Sequence, residues 1–162
     1  MQSGLSLIEV MIATFILAIG ILGVAQLHLG SFQNNRDALY RNQATVMADD
    51  LLGRIPANPN ALALGAYNAL NFLPDSSTPA AVSCTTGCTA LELAARDVHE
   101  WARNFVVTMP SYQPSLPGAQ GSGNIDSADV RGECPSMVKY DVSVQWLRPS
   151  GELEQVTLVA CF

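Results

Sequence analysis

The chain has little charge, and basic charge is the scarcest. Only 14% of its 162 residues are charged, Lys139 is the single lysine, and the formal net charge is −6. Nucleic-acid-binding proteins neutralise phosphates with clustered lysine and arginine side chains. The shortage of basic residues therefore argues against a nucleic-acid partner.

The usual signs of catalysis or metal binding are also missing. There are two histidines, His28 and His99, and no GxSxG, HExxH or phosphate-loop motif, whereas an enzyme site needs a nucleophile with its base or a set of metal ligands. We interpret His99 and Glu100 as a surface pair. One acidic cluster misses the EF-hand spacing; it comprises Asn124, Asp126 and Asp129. We predict no catalytic residue, no metal and no cofactor, and a membrane-tethered envelope enzyme is kept only as a third hypothesis.

What the chain does have is a long apolar run near its start. No charged residue occurs between Glu9 and Arg36, and residues 10–25 are nearly all apolar. About twenty apolar residues span a bilayer as a helix, the form in which a backbone in lipid satisfies its own hydrogen bonds. The pattern predicts a transmembrane helix over residues 5–32.

Other interpretations of this run fit the residues less well. A cleaved secretory signal begins with basic residues and ends at a small-residue cleavage site, but the start here is Met-Gln-Ser-Gly and the run passes into an amphipathic helix. A buried core helix would need a larger domain around it. An ordinary anchor leaves Glu9 unexplained, because a carboxylate facing lipid costs about 2.5–3.5 kcal/mol.

Glu9 therefore calls for a positively charged partner. A cut after Gly4 would leave a free α-amine on Leu5, one helical turn from Glu9 in the same chain or in a neighbouring copy. The stretch Gly4-Leu-Ser-Leu-Ile-Glu-Val-Met11 resembles the class III signal of type IV pilins and pseudopilins, although residues 1–4 lack the usual basic residue and Leu5 replaces the commoner phenylalanine.

The resemblance implies a processing route and a role for the carboxylate. Prepilin peptidase would remove the leader, residues 1–4, by cutting between Gly4 and Leu5, and would methylate the new amine. Glu9 would neutralise a neighbouring subunit's N-terminus during assembly. The apolar helix would first hold the subunit in the inner membrane and then pack in the filament core.

Beyond the apolar run the pattern becomes amphipathic. Over residues 33–56 apolar side chains recur at helical spacing: Tyr40, Ala44, Met47, Leu51 and Ile55. Asp49 and Asp50 are interpreted as part of a solvated face. Gly53, Pro56 and Pro59 predict the end of one long helix.

The remaining residues, 57–162, predict a small globular domain. Residues 58–87 and 111–132 are rich in proline, glycine and serine and predict loops. Between them Thr89 and Glu92 have capping-box spacing, before an apolar stripe on a second helix: Leu91, Ala95, Val98, Ala102 and Phe105, with Trp101 at its border and Pro110 as its stop. Alternation over 138–146 and 156–162, around a turn at 149–151, predicts an antiparallel hairpin. The fold class is α+β and pilin-like, with the long N-terminal helix packed on a domain that contains a second helix and an antiparallel β-sheet.

All four cysteines lie outside the apolar run, at Cys84, Cys88, Cys134 and Cys161. An even number in an exported domain favours disulfides, and the spacing does not form the paired CxxC knuckles of common zinc ribbons. Cys84 and Cys88 would close a small loop, and the hairpin brings Cys161 within reach of Cys134. Other pairings remain open at this point.

Downstream residues resemble the PilV group of minor pilins. The resemblance rests on Arg41-Asn-Gln-Ala44, Ala48-Asp-Asp-Leu51, residues 54–58, residues 88–101 and Val144-Gln-Trp146. It implies a minor pilin that joins other minor pilins, the major pilin and a tip adhesin, primes pilus assembly and supports adhesion and twitching motility. The subunit would begin as a single-pass inner-membrane protein with a periplasmic domain and finish at the cell surface. A minor pseudopilin of a type II secretion system is the alternative.

Overall fold

The computed structural model describes residues 6–85, 87–106, 116–126, 132, 134–135 and 137–162. Three α-helices lie in these residues: α1 (Leu7–Arg54), α2 (Pro59–Ala63) and α3 (Ala90–Ala102), with a 3₁₀ turn at Ile55–Ala57 after the first. The four strands are β1 (Leu70–Phe72), β2 (Gln120–Asp126), β3 (Lys139–Leu147) and β4 (Leu153–Cys161). The predicted α+β, pilin-like class is confirmed.

The chain divides into two compact units, Met1–Leu39 and Tyr40–Phe162. The described part of the first unit is entirely helical from Leu7 onward. Its large apolar side chains are exposed to solvent rather than packed within the unit. The described part of this unit, residues 6–39, therefore forms no core of its own.

The second unit is built on an antiparallel sheet of strand order β1-β2-β3-β4. Strands β3 and β4 form the predicted hairpin, in which Val142 lies opposite Leu158 and Lys139 opposite Cys161. Gly151 takes a positive φ of 86° in the connecting turn, a conformation that glycine adopts without strain. The hairpin prediction is confirmed.

One face of β3 provides the centre of the core. Tyr140, Val142, Val144 and Trp146 are fully buried, while the alternate residues point to the polar face, as a half-buried strand requires. The core is completed by buried residues from α1 and the turn after it: Ala44, Ala48, Leu51, Leu52 and Ile55. The amphipathic pattern predicted this face, with Tyr40 and Met47 packed at its margin.

Helix α3 contributes a further group of buried side chains to the core. Trp101 is fully buried and donates a hydrogen bond from Nε1 to the carbonyl oxygen of Met47, at 2.8 Å. Its ring also meets Phe105 edge to face, with centroids 4.8 Å apart, a favoured aromatic geometry. Trp101 thus joins α3 to α1 through both apolar contact and a hydrogen bond.

The helix start was predicted correctly, and the buried stripe was predicted in part: Val98, Ala102 and Phe105 are buried as expected. Thr89 and Glu92 form the capping box, each side chain bonding the other's backbone N–H. Leu91 and Ala95 are exposed, however, and Ala94, Asp97 and Trp101 are buried in addition to the predicted positions. The helix rotates toward this set because it buries the large Trp101 ring, which the predicted stripe left at its border.

Two strands and the short helix α2 lie in segments that we predicted as loops. α2 and β1 fall within residues 58–87, and β2 within residues 111–132. The β2 sequence, Gln-Gly-Ser-Gly-Asn-Ile-Asp, carries little intrinsic strand preference. Its pairing with β3 along all seven residues supplies the hydrogen bonds that the sequence pattern does not reveal. The predicted helix stop at Pro110 lies outside the described residues.

The glycines of β2 make room for core side chains. A Cβ built on Gly121 would overlap the Phe105 ring, and one on Gly123 would lie 2.5 Å from the Tyr140 hydroxyl. These close approaches explain why a glycine-containing segment serves as an inner strand.

We expect Gly121→Ala to lower the free energy of unfolding by about 1–3 kcal/mol, because overpacking forces the Phe105 ring or the strand to move. Gly53→Ala is the matched control: its Cβ would meet nothing within 4 Å, and alanine favours a helix by up to about 1 kcal/mol. Thermal unfolding of the full chain in detergent, followed by circular dichroism, measures both. Equal midpoints for the two variants would show that the close approach carries no energetic weight.

Candidate processing and assembly site

Glu9 lies in the first turn of α1. The carbonyl oxygen of Ser6 accepts hydrogen bonds from the backbone N–H groups of Glu9, at 3.0 Å, and Val10, at 3.3 Å. The Glu9 side chain is exposed in the isolated chain. A carboxylate at this end complements the positive end of the helix dipole. Gly4 and Leu5 lie outside the described residues, so their role stays a prediction.

Glu9 stands at the edge of a continuous apolar surface. α1 is long and apolar enough over part of its length to cross a membrane, and none of that part is buried in the structure. The exposed large side chains point around the whole helix: Leu7, Ile8, Val10, Met11, Ile12, Phe15, Ile16, Leu17, Ile19, Ile21, Leu22, Val24, Leu27, Leu29 and Phe32. Such a surface needs lipid or other apolar helices around it.

The cysteines are paired in the structure. Cys84 is bonded to Cys88, with Cα atoms 5.2 Å apart, and Cys134 to Cys161, with Cα atoms 5.4 Å apart. The first bond closes a short loop just before the capping box of α3. The second ties the end of β4 to the segment that leads into β3.

The residues weighed as ligands or catalytic groups have other partners. Nδ1 of His99 lies 2.6 Å from the carbonyl oxygen of Pro79, and Glu100 contacts Arg54 rather than His99. Within the described ranges, no three His, Cys, Asp or Glu side chains come together in a way that could hold a metal ion. Asp129 and the side chain of Asp126 lie outside what the structure describes. Asp49 and Asp50 are both exposed.

The structure contains a polar network that the sequence did not reveal. Asp97, only 6% exposed, accepts a hydrogen bond from the Tyr67 hydroxyl at 2.8 Å and lies 3.5 Å from the Arg54 guanidinium. Arg54 also contacts Glu100 at 2.6 Å and Asp50 at 3.2 Å. The last turn of α1 is thereby tied to α3.

The network continues into the segment between α1 and β1. The side-chain amide of Asn58 donates to the carbonyl oxygen of Ala90 at 2.7 Å and to the Tyr67 hydroxyl at 3.3 Å. The hydroxyl of Tyr140 donates to the backbone oxygen of Tyr67. Buried polar groups that satisfy one another in this way fix one arrangement of the elements that carry them.

The ionisation of these groups follows from their surroundings. Burial, and then the hydrogen bond to Asp97, raise the pKa of Tyr67 to about 12. Burial lowers the pKa of Arg54, but its hydrogen bonds to Glu100 and Asp50 outweigh that effect and leave the pKa above its usual value. The hydrogen bond from Arg54 lowers the pKa of Glu100. Tyr67 and Arg54 therefore both stay protonated near neutral pH.

One signal in the sequence could have found the network. Asp97 shares a helix face with Ala94, three residues before it, and Trp101, four residues after it, as helix neighbours do. A carboxylate among apolar neighbours on one face must be either exposed or paired, because an unpaired buried charge is costly. Nothing in sequence spacing, however, identifies Tyr67 or Arg54 as its partners.

Comparison with known proteins supports the reading of the N-terminus. Residues 1–25 match the family model described as the prokaryotic N-terminal methylation motif. The chain matches no curated protein and no solved structure.

The chain thus carries a prepilin-type N-terminal motif on an α+β, pilin-like architecture. That motif implies processing by a prepilin peptidase and assembly with other pilins. It points to a structural subunit rather than an enzyme. The motif and the apolar helix fit an inner-membrane anchor with a periplasmic domain.

We expect Asp97→Ala to lower the free energy of unfolding by about 1–3 kcal/mol, because it strands the Tyr67 hydroxyl and removes one acceptor of Arg54. Asp50→Ala is the matched control, since it removes an exposed partner of the same arginine and should cost no more than about 0.5 kcal/mol. Urea unfolding of the full chain in detergent compares the two. If Asp50→Ala were as damaging as Asp97→Ala, burial of Asp97 would not be the source of its effect.

Proposed function

We propose that this chain is a minor pilin of a type IV pilus, which helps to prime pilus assembly and takes part in a complex at the filament tip. The observation that carries the proposal is the N-terminal motif: residues 1–25 match the methylation motif, and its carboxylate, Glu9, stands in the first turn of a helix whose following surface is apolar.

The proposed route begins with cleavage between Gly4 and Leu5 and methylation of the new amine by prepilin peptidase. The subunit then waits in the inner membrane, held by residues 5–32, with its globular domain in the periplasm. That compartment is oxidising, which permits disulfides at Cys84–Cys88 and Cys134–Cys161.

Assembly exchanges lipid for protein around the apolar helix. Glu9 would lie in low-dielectric surroundings in the filament, where an unpaired carboxylate is costly. The α-amine at Leu5 of a neighbouring subunit supplies the compensating charge. The proposed partners are therefore other minor pilins, the major pilin and a tip adhesin, and the cellular roles are adhesion and twitching motility.

The N-terminal motif supports membership in a pseudopilus as well. A minor pseudopilin of a type II secretion system would share the cleavage site and Glu9, and would differ in its partners. The resemblance of residues 41–44, 48–51, 54–58, 88–101 and 144–146 to PilV-type minor pilins is what favours the pilus.

We expect Glu9→Gln to abolish function without blocking processing. The variant is expressed in the native strain after deletion of the gene for this chain. It should be cleaved and membrane-bound, yet absent from sheared filaments and unable to restore surface pili or twitching. The reason is that the neutral amide cannot balance the positive charge of the neighbouring subunit's amine. Thr14→Val, another change of an exposed polar residue on the same helix, should restore both.

Two results would go against the proposal. Wild-type levels of the Glu9→Gln protein in filaments would contradict the charge-balancing role. Normal pili in the deleted strain, together with loss of protein secretion, would move the chain to the secretion-system alternative.

A further inference from the structure

The face of the sheet that points away from the core carries a block of uncharged polar side chains. They come from the positions that alternate with the buried residues of each strand, because successive side chains point to opposite faces. The register sets them in two rows across neighbouring strands, one of shorter and one of longer side chains: Asn71, Ser122, Ser143 and Thr157; Gln120, Gln145 and Gln155. Every one is an amide or a hydroxyl, so this face offers hydrogen bonds without charge.

The two halves of this face use their polar groups differently. On β3 and β4 the side chains bond one another: the hydroxyls of Ser143 and Thr157 lie 2.8 Å apart, and Nε2 of Gln145 donates to Oε1 of Gln155 at 2.8 Å. On β1 and β2 they do not. Within the described part of the chain, four side chains there make no hydrogen bond or ion pair: Asn71, Gln120, Ser122 and Asn124. Their donors and acceptors are therefore unused by the protein.

These unused groups surround an open groove of about 440 Å³. Ser122, the shortest of the four side chains, lies between Gln120 and Asn124 along β2, so the longer amides rise on either side of it. Leu73, which is 43% exposed, adds an apolar wall. None of the described residues that line the groove is charged. The groove thus has a polar floor, amide walls and one apolar side.

This lining selects the chemistry of a ligand. A charged ligand would find no opposite charge in the groove. An apolar ligand would take water from the polar groups without replacing their hydrogen bonds, which is costly. Amides offer both donors and acceptors, and a serine hydroxyl acts as either. Sugar hydroxyls have the same dual character, and the C–H face of a sugar ring can pack against an apolar side chain such as Leu73.

From this arrangement we propose that the groove binds an uncharged oligosaccharide. The amide walls bond the sugar hydroxyls, Ser122 forms the floor, and Leu73 packs against a ring face. The row of shorter side chains continues from Asn71 across the sheet to Thr157, a distance of about 14 Å, so an extended sugar chain can lie along it. The inference goes beyond the pilin role and does not depend on it, because the site lies entirely within the globular domain.

Ligand-observed saturation-transfer NMR tests the proposal on the full-length chain. The protein is kept in an amine-oxide detergent, because detergents with sugar headgroups would compete. The probes are four neutral hexasaccharides, namely maltohexaose, cellohexaose, mannohexaose and chitohexaose, and a galacturonic acid hexamer is the charged comparison. We expect saturable binding of at least one neutral probe. Raising the salt concentration about tenfold should leave it unchanged, because salt screens only charge.

Two variants alter the groove. Ser122→Gln fills its floor and should weaken binding at least about tenfold. Gln120→Ala removes a hydrogen-bonding wall and should weaken binding about 3- to 10-fold. The matched controls make the same replacements on β4, in the same two rows of the same face: Thr157→Gln and Gln155→Ala. They should leave the dissociation constant within about twofold of the original. Circular dichroism checks that each variant is folded.

Binding that falls in both groove variants and persists in both controls supports the proposal. No saturable signal from any of the four neutral probes overturns it, and so does binding of the galacturonic acid hexamer alone. Equal losses in the groove and control variants overturn the assignment to this groove. Because none of these measurements involves filament assembly, a failure here leaves the proposed pilin role unaffected.

Discussion

One helix meets two environments, and the change between them governs the rest of the structure. From Leu7 to Phe32 the surface of α1 is apolar on all sides and has no partner within its own unit. From Tyr40 onward only one face is apolar, and the sheet and α3 cover it. The first part needs apolar surroundings outside the chain. The second part provides an apolar helix face against which the small domain packs.

That division explains where polar groups are placed. In the apolar part Glu9 is the only charged residue before Arg36, and its proposed partner is the α-amine of a neighbouring subunit. In the domain the opposite holds. Asp97 is buried together with Tyr67, which donates to it, and the half-buried Arg54 contacts three carboxylates at the end of α1. A buried network of this kind fixes the angle between α1 and α3 more strictly than apolar packing alone.

The sheet is also held by specific contacts. Glycines in β2 accept the bulk of Phe105 and Tyr140 from the core side, and the disulfide between Cys134 and Cys161 holds the end of β4 against the approach to β3. The glycines fit the interior strand β2 against the core, and the disulfide anchors the edge strand β4.

Much of this could be predicted from local patterns. The apolar run, the amphipathic face around Ala44 and Leu51, the Thr89–Glu92 capping box and the alternating β3–β4 hairpin each depend on residues close in sequence. β1 and β2 were missed because their strand character comes from pairing with β3 rather than from their own residues. The stripe of α3 was predicted only in part, since the contact that sets the buried face, Trp101 against α1, joins positions 54 residues apart.

The functional residues divide in the same way. Glu9 could be identified from the sequence because a charge beside an apolar run is conspicuous and costly. The network of Arg54, Tyr67 and Asp97 could not, because each member is ordinary on its own and becomes informative only when the fold brings them together. Sequence spacing shows that Asp97 needs a partner, and only the folded domain shows which residues provide it.

The central claim is that the apolar helix is made as a prepilin and begins, after processing, at Leu5. The most direct test is mass spectrometry of the mature N-terminus, on protein purified from its native envelope. The account predicts an N-methylated leucine at position 5, with Glu9 intact four residues further on. An unprocessed Met1, or an N-terminus located after the apolar run, would contradict it.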